Sequence, residues 1–401
     1  MNERTHGGDN TGNLLDFSVN VSPLGIPDAV RDALSAAAAR LDRYPDPFCS
    51  GLCAAIAASD GVPPGFVLCG NGASDLIFRV ALAGRPKRAA VVAPTFSEYE
   101  AALSLCGCDI VRYPLRAERG FRLDADFLRV LTPETDMVFL CQPNNPTGVT
   151  VPKALLFRIL ERCREIDCRL ILDECFLGFL DRPEDFTLKD ALPDFPNLLI
   201  LRAFTKLYGL AGVRLGYALC ADSAFLAQTR RCGPPWSVST LAQAAGVAAL
   251  EAKSYPDAVR RLIARERPKL YDALCALGFR VVPGEANFLL FQSPAPLDEL
   301  LKARGILLRN CGNFRGLDNT WYRTAVRTES ENRRLIAALR EAVETRNPLC
   351  HCVTSPPKGE TQSGKALVIR SPAPERGGGQ GEGFSFNGIR LKEALEAWRN
   401  G

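Results

Sequence analysis

From about residue 66 to residue 220, short apolar runs alternate with longer helix-periodic ones. "FVLCG", "AAVVAP", "DIVRYPL", "MVFLC", "RLILDE", "NLLILRAF" and "RLGYALC" read as strands. A helix from about Ser74 to Ala83, "EYEAALSLCG" and "PKALLFRILERCREI" lie between them. Strand-like runs separated by helices predict a mostly parallel α/β sheet. In such a sheet, ligand groups collect at the carboxyl ends of the strands.

The flanks read differently. Residues 1–30 form an arm rich in turn formers, followed by the helical "DAVRDALSAAAARL". "YPDPFCSG" breaks that pattern and "LCAAIAASDG" resumes it. Residues 236–270 read as one long, arginine-studded helical connection. "FRVVPGEANFLLFQ", "LDELLKARG", "ILLRN", "YRTAVR" and "ENRRLIAALREAVE" then suggest a smaller α+β domain. The expected organisation is an N-terminal arm with small-domain contribution over 1–45, a large domain over 46–240 and a small domain over 241–346. Residues 347–401 are a turn-rich appendage, with a short helix at "RLKEALEAWR".

Composition narrows the function. The chain has 401 residues, 47% hydrophobic and 23% charged, as expected for a soluble globular protein of two domains. A net charge of +4, with no stripe of Lys and Arg, gives no footprint for nucleic acid. No apolar run spans a bilayer or makes a secretory leader, so neither a membrane nor a secreted protein is expected. The 15 cysteines sit mostly inside apolar segments and read as buried thiols in a reducing cytoplasm. Only two histidines occur, His6 and His351, both near the chain ends. A serine–histidine–acid hydrolase or a histidine-rich metal site is therefore not expected. Cys350 and Cys352 in "CHC" lack ordinary zinc spacing, and no metal is assigned to them.

Four features carry chemistry, each at a predicted strand end. "CGNGASD" places Gly72, Ala73 and Ser74 at a helix start, where free N–H groups and the dipole favour an anion. An ordinary strand–helix turn reads the same way. In "CQPNNPTG", Asn145 can donate into a cleft, although turn asparagines are common. Asp173 ends the apolar "LILDE", where an unpaired carboxylate is costly and calls for a cation. In "LRAFTKLYGLAGVRLGY", Lys206 stands among Phe204, Leu207, Tyr208 and Leu210, with Thr205 beside it and Arg214 eight residues on. By itself that lysine reads equally well as one that snorkels from a helix start. Together the four fit pyridoxal phosphate: an amine for its aldehyde, an anion nest and arginine for its phosphate, a carboxylate for its ring nitrogen and a donor for its phenolic oxygen.

The series "NPTG", "LDE" and "TKLYGLAGVRLGY" resembles the fold-type I pyridoxal-phosphate enzymes of the aminotransferase class I/II superfamily, over about residues 14–346. The spacings are 28 residues from Asn145 to Asp173, 33 on to Lys206 and 8 on to Arg214. The resemblance implies that fold: a large mostly parallel α/β domain and a smaller α+β domain, here with a C-terminal extension. It implies that Lys206 bonds the aldehyde and moves protons, Asp173 pairs with the ring nitrogen and Asn145 bonds the phenolic oxygen. Ala73, Ser74, Thr205 and Arg214 surround the phosphate, and Phe96 stacks on the ring. Tyr44 resembles the tyrosine that reaches the phosphate from a neighbouring subunit, implying a homodimer with shared sites. Arg323 matches the arginine that holds the substrate carboxylate. Phe176 departs from the pattern, since many relatives place a tyrosine three residues after the aspartate.

Two groups within the superfamily fit, the histidinol-phosphate aminotransferases and the threonine-phosphate decarboxylases of cobalamin biosynthesis. "THGGD", "LLDFSVNVSPLGIP" and "ILLRNCGNFRGL" resemble the second. That resemblance implies a phosphorylated amino-acid substrate whose phosphate meets Arg309, with His6 and Asn20 as helpers. The plain alternative for His6 is an unstructured terminal residue. A binding or scaffold protein without cofactor is the alternative from a different class.

Overall fold

A computed structural model of the chain describes residues 7–9 and 11–344. His6, His351, Cys350, Cys352, the appendage and its expected helix lie outside them. The arm contributes a short strand β1 (Leu15–Asp16), followed by helices α1 (Asp28–Ala38) and α2 (Ser50–Asp60). The large sheet is built from β2 (Val67–Gly70), β3 (Arg88–Ala93), β4 (Asp109–Pro114), β5 (Met137–Cys141), β6 (Arg169–Asp173), β7 (Leu198–Ala203) and β8 (Gly216–Cys220). Helices α3 (Gly72–Gly84), α4 (Ser97–Leu105) and α5 (Lys153–Glu165) connect its strands. The single-turn α6 (Phe204–Leu207) follows β7 directly.

The strand order is β2-β8-β7-β6-β5-β3-β4. All neighbours run parallel except β8, which is antiparallel to both β2 and β7. Why the strands read as unbroken apolar runs is plain from their two faces. In β5, Val138 and Leu140 join one core while Met137, Phe139 and Cys141 join the other. In β6, Leu170 and Leu172 point one way and Ile171 the other. A parallel sheet covered on both sides needs apolar residues at every position. Each buried side chain of this kind contributes roughly 1.5–3 kcal/mol. Such a sheet can afford one buried carboxylate at a strand end.

Beyond the sheet come α7 (Ser223–Arg231), α8 (Thr240–Glu251) and α9 (Tyr255–Ala276). The expected single helical connection is thus two helices. Ser239 caps α8 through the Ala242 N–H, and Pro256 stands in the first turn of α9, where its missing N–H costs nothing. Helix α7, which the hydrophobic pattern did not announce, is capped by Asp222 accepting from the Phe225 N–H at 2.9 Å.

The smaller sheet contains β9 (Arg280–Val281), β10 (Phe288–Gln292), β12 (Arg309–Asn310) and β13 (Trp321–Ala325), all antiparallel. Helices α10 (Leu297–Lys302) and α11 (Glu329–Glu344) complete this part around a separate core. The run "ILLRN" is divided between two partners. Its first half, β11 (Ile306–Leu307), pairs in parallel with β1, while β12 pairs with β13. All thirteen cysteines among the described residues are free thiols. No helix among them is long and apolar enough to cross a membrane.

Candidate active site

The ends of β5, β6 and β7, the start of α3 and the start of α4 converge on one cavity. Ala73, Ser74, Phe96, Asn145, Asp173, Thr205, Lys206 and Arg214 all line it. A wider hollow of ≈ 490 Å³ lies on the other side of the Glu174–Cys175 segment. There Arg202 is already paired with Asp60 and Glu174, so its charges answer one another. Chemistry rather than size marks the smaller cavity.

The loop after β5 is held by its own amides. Gln142 donates to the Val151 carbonyl and accepts from the Val151 N–H, both at 2.8 Å. Asn144 donates to the Pro94 carbonyl at 3.0 Å and accepts from Thr95 Oγ1 at 2.7 Å. These bonds tie the Asn145 loop to the segment that carries Phe96.

Asp173 is buried, and no cation lies within ion-pairing distance of it among the described residues. The cation it calls for is therefore not supplied by the described residues themselves. Its Oδ1 accepts from the Cys175 N–H at 3.0 Å and its Oδ2 from the Tyr99 hydroxyl at 2.6 Å. Burial, together with the Asp173 charge, pushes the Tyr99 phenol well above its ordinary range, so it stays a donor. Tyr99 is a site residue that sequence reasoning missed. Its one signal was an aromatic three positions after Phe96, on the same turn of helix.

Lys206 is half-buried, with Nζ 5.5 Å from the centre of the Phe176 ring. Burial lowers its pKa from 10.5; Cys175 opposes this, while the positive charges of Arg323 and Arg214 add to it. At the other end of the cavity, no side chain caps α3. The Arg214 guanidinium covers the helix start so closely that a Cβ on Gly72 (φ +82°) would stand 2.8 Å from its Nη2. Gly216 of β8 packs equally tightly on the same point, since a Cβ there would meet the Ala73 nitrogen at 2.6 Å. The first-turn N–H groups of α3, the hydroxyls of Ser74 and Thr205 and the Arg214 guanidinium make a donor-rich pocket suited to a phosphate.

Arg323 is buried and drawn down to about 10, first by desolvation. It donates to Asn145 Oδ1 and, at 2.7 Å, to the Ser18 carbonyl. The Asn20 amide oxygen, in the orientation that satisfies both groups, accepts from its Nε at 3.1 Å. Arg309 stands directly opposite Arg323 in the β12–β13 register and donates to Asn313 Oδ1 at 2.8 Å. Tyr44 does not line this cavity; it is 81% exposed and stacks on Trp236 at 4.6 Å.

The residues present fit pyridoxal phosphate. A buried carboxylate without a cation, an amine of lowered basicity and an uncapped helix start under an arginine are each incomplete without such a group. Residues 12–339 match the family described as aminotransferase class I and II. The chain is 42% identical to a threonine-phosphate decarboxylase of Salmonella typhimurium, over 82% of this chain and 91% of that one. It is 34% identical to a histidinol-phosphate aminotransferase of Symbiobacterium thermophilum, over 82% and 91%. Its fold matches the crystal structure of the histidinol-phosphate aminotransferase from Clostridium acetobutylicum with a TM-score of 0.78 and 27% identity, covering 83% of this chain and all of that one. The chain belongs to the class I and II aminotransferase family and is a pyridoxal-phosphate-dependent enzyme.

Proposed function

We propose that this enzyme converts L-threonine O-3-phosphate into (R)-1-amino-2-propanol O-2-phosphate and CO2, supplying the aminopropanol linker of cobalamin. One observation carries the substrate class: two arginines, Arg309 and Arg323, face each other across adjacent strands. Arg323 has no carboxylate partner among the described residues, only amide and carbonyl oxygens. A substrate with two anionic groups, a carboxylate for Arg323 and a phosphate for Arg309, suits the pair. The higher identity to a decarboxylase than to an aminotransferase favours loss of the carboxylate.

Lys206 would bond the cofactor aldehyde, and Asp173 would meet its ring nitrogen. Because Asn145 Oδ1 is taken by Arg323, its amide nitrogen is left to donate to the phenolic oxygen. Ala73, Ser74, Thr205 and Arg214 would hold the cofactor phosphate, Phe96 would cover the ring, and Tyr44 of the partner subunit would complete the phosphate site in a homodimer. When bound, pyridoxal phosphate supplies a ring that takes up the electron pair of a bond broken at the substrate Cα. Arg323 would set which bond that is, by fixing the direction of the substrate carboxylate. Once CO2 has left, Lys206 Nζ, freed from the aldehyde when the substrate amine takes its place, would give Cα the proton that replaces it. Asn20 steadies Arg323, and His6 is a further candidate for the substrate phosphate.

Incubation with pyridoxal phosphate and L-threonine O-3-phosphate is expected to release CO2 and aminopropanol phosphate in equal amounts. Rapid formation of glutamate from histidinol phosphate and 2-oxoglutarate, without CO2, would replace this reading with the aminotransferase.

A further inference from the structure

The carboxylate of Asp173 is held by two donors of different kinds. The Cys175 N–H belongs to the same turn of chain and comes with the strand end itself. Tyr99 belongs to another element, the first turn of α4, and crosses 74 positions of sequence to reach it. Its ring is fully buried, stacked on Phe139 of β5 at 5.1 Å and edge-on to Phe96 at 5.7 Å. It is the only hydroxyl among the described residues that hydrogen-bonds Asp173. The other titratable groups facing this carboxylate are the thiols of Cys141 and Cys175, both pushed up by burial, and the Lys206 amine.

We propose that Tyr99 is a positioning residue for the reaction: its hydroxyl fixes the plane in which Asp173 meets the cofactor ring nitrogen and supports the carboxylate in its charged form. The inference rests on the reading that Asp173 binds that nitrogen. A hydrogen bond donated to a carboxylate favours its charged state, whereas an apolar pocket favours the neutral one. A carboxylate that keeps its charge leaves the proton on the ring nitrogen, and a protonated ring withdraws electrons from Cα more strongly. The same side chain braces Phe96 edge-on, so the wall of the cavity and the orientation of Asp173 share one support.

The test is Tyr99→Phe, which removes the hydroxyl and keeps the packed ring. Wild-type and variant enzymes are loaded with pyridoxal phosphate carrying 15N in the ring, and the resonance of that nitrogen is compared. The expected result is a protonated nitrogen in the wild type and a shift toward the unprotonated position in the variant. The kcat should fall about 10- to 100-fold with KM for substrate little changed. An identical resonance in both would overturn the inference. Should Tyr99→Phe fail to fold, 3-fluorotyrosine at position 99, a stronger donor, should raise the pH at which the ring nitrogen loses its proton, and an unchanged midpoint would count against the proposal. Borohydride reduction followed by peptide mapping separates the two levels of the argument. If the wild type carries no cofactor on Lys206, the reading of the site fails and takes this inference with it. If Lys206 is labelled and the nitrogen ignores Tyr99, only the inference fails.

Discussion

An amine attacks an aldehyde only when it has shed its proton, and Lys206 sits where shedding is easy. Burial does most of this; Cys175 opposes it, the positive charges of Arg323 and Arg214 add to it, and Asp173 opposes it least. The sign can be checked by experiment. Removing a cation should raise the lysine's proton affinity, so Arg323→Leu is expected to move the midpoint for cofactor attachment to higher pH. Stopped-flow absorbance across a pH series would measure it; a midpoint that stays put or moves down would contradict the assigned cause. Residues of this kind were legible from the sequence because each breaks its surroundings: a carboxylate ending "LILD", a lysine among aromatics, an asparagine between prolines. Tyr99 was not legible, because a buried aromatic on a helix looks the same whether its hydroxyl is idle or aimed at a carboxylate. Phe176, marked as a departure, has the Lys206 amine over its ring and Phe288 edge-on to it, and it brings no hydroxyl to the cavity.

Among the elements, the contact between β8 and the first turn of α3 decides how well the phosphate pocket is shaped. A Cβ on Gly216 would meet only backbone, the Ala73 nitrogen at 2.6 Å, the Gly72 carbonyl carbon at 2.8 Å and the Arg202 oxygen at 3.0 Å. Backbone cannot swing aside, so Gly216→Ala should cost about 1–3 kcal/mol in urea unfolding and weaken cofactor binding. Gly212, four residues earlier, has open space around it. Gly212→Ala should leave stability within about 0.5 kcal/mol and binding unchanged. Equal effects at the two positions would mean that the close approach does not shape the pocket. The seven strands of the large sheet were all legible as apolar runs, but the reversed direction of β8 was not. Burial on both faces depends on the side chains, whereas direction depends on where the connecting chain returns. The break between α8 and α9 was written in the sequence by Pro256 and was overrun by the apolar pattern on either side.

At the scale of the whole molecule, three large exposed side chains lie together: Tyr44 stacks on Trp236, and Phe48 lines a hollow with Trp236. Exposed apolar groups gathered together mark an interaction surface. In the homodimer proposed here, Tyr44 serves the neighbouring site, and subunit exchange tests that directly. Lys206→Ala and Tyr44→Ala enzymes, each impaired alone, should regain activity when unfolded and refolded together, since a mixed dimer contains one intact site. No recovery above the separate activities would rule out shared sites. A large α/β part and a smaller α+β part were legible from the change in pattern along the chain, but the route of the N-terminal arm was not, because its short turns carry no periodicity. That route matters. The arm pairs with Ile306 and Leu307, offers the Ser18 carbonyl to Arg323 and, at Ser22, donates to the carbonyl of Lys206 itself. A ribosome makes those arm residues some 300 positions before their partner at 323. The large sheet can therefore form early in translation, while the substrate end of the cavity must wait until the last strand emerges. Such long-range closure is slow, which makes the finished pocket a late product of folding and leaves a nascent chain without activity.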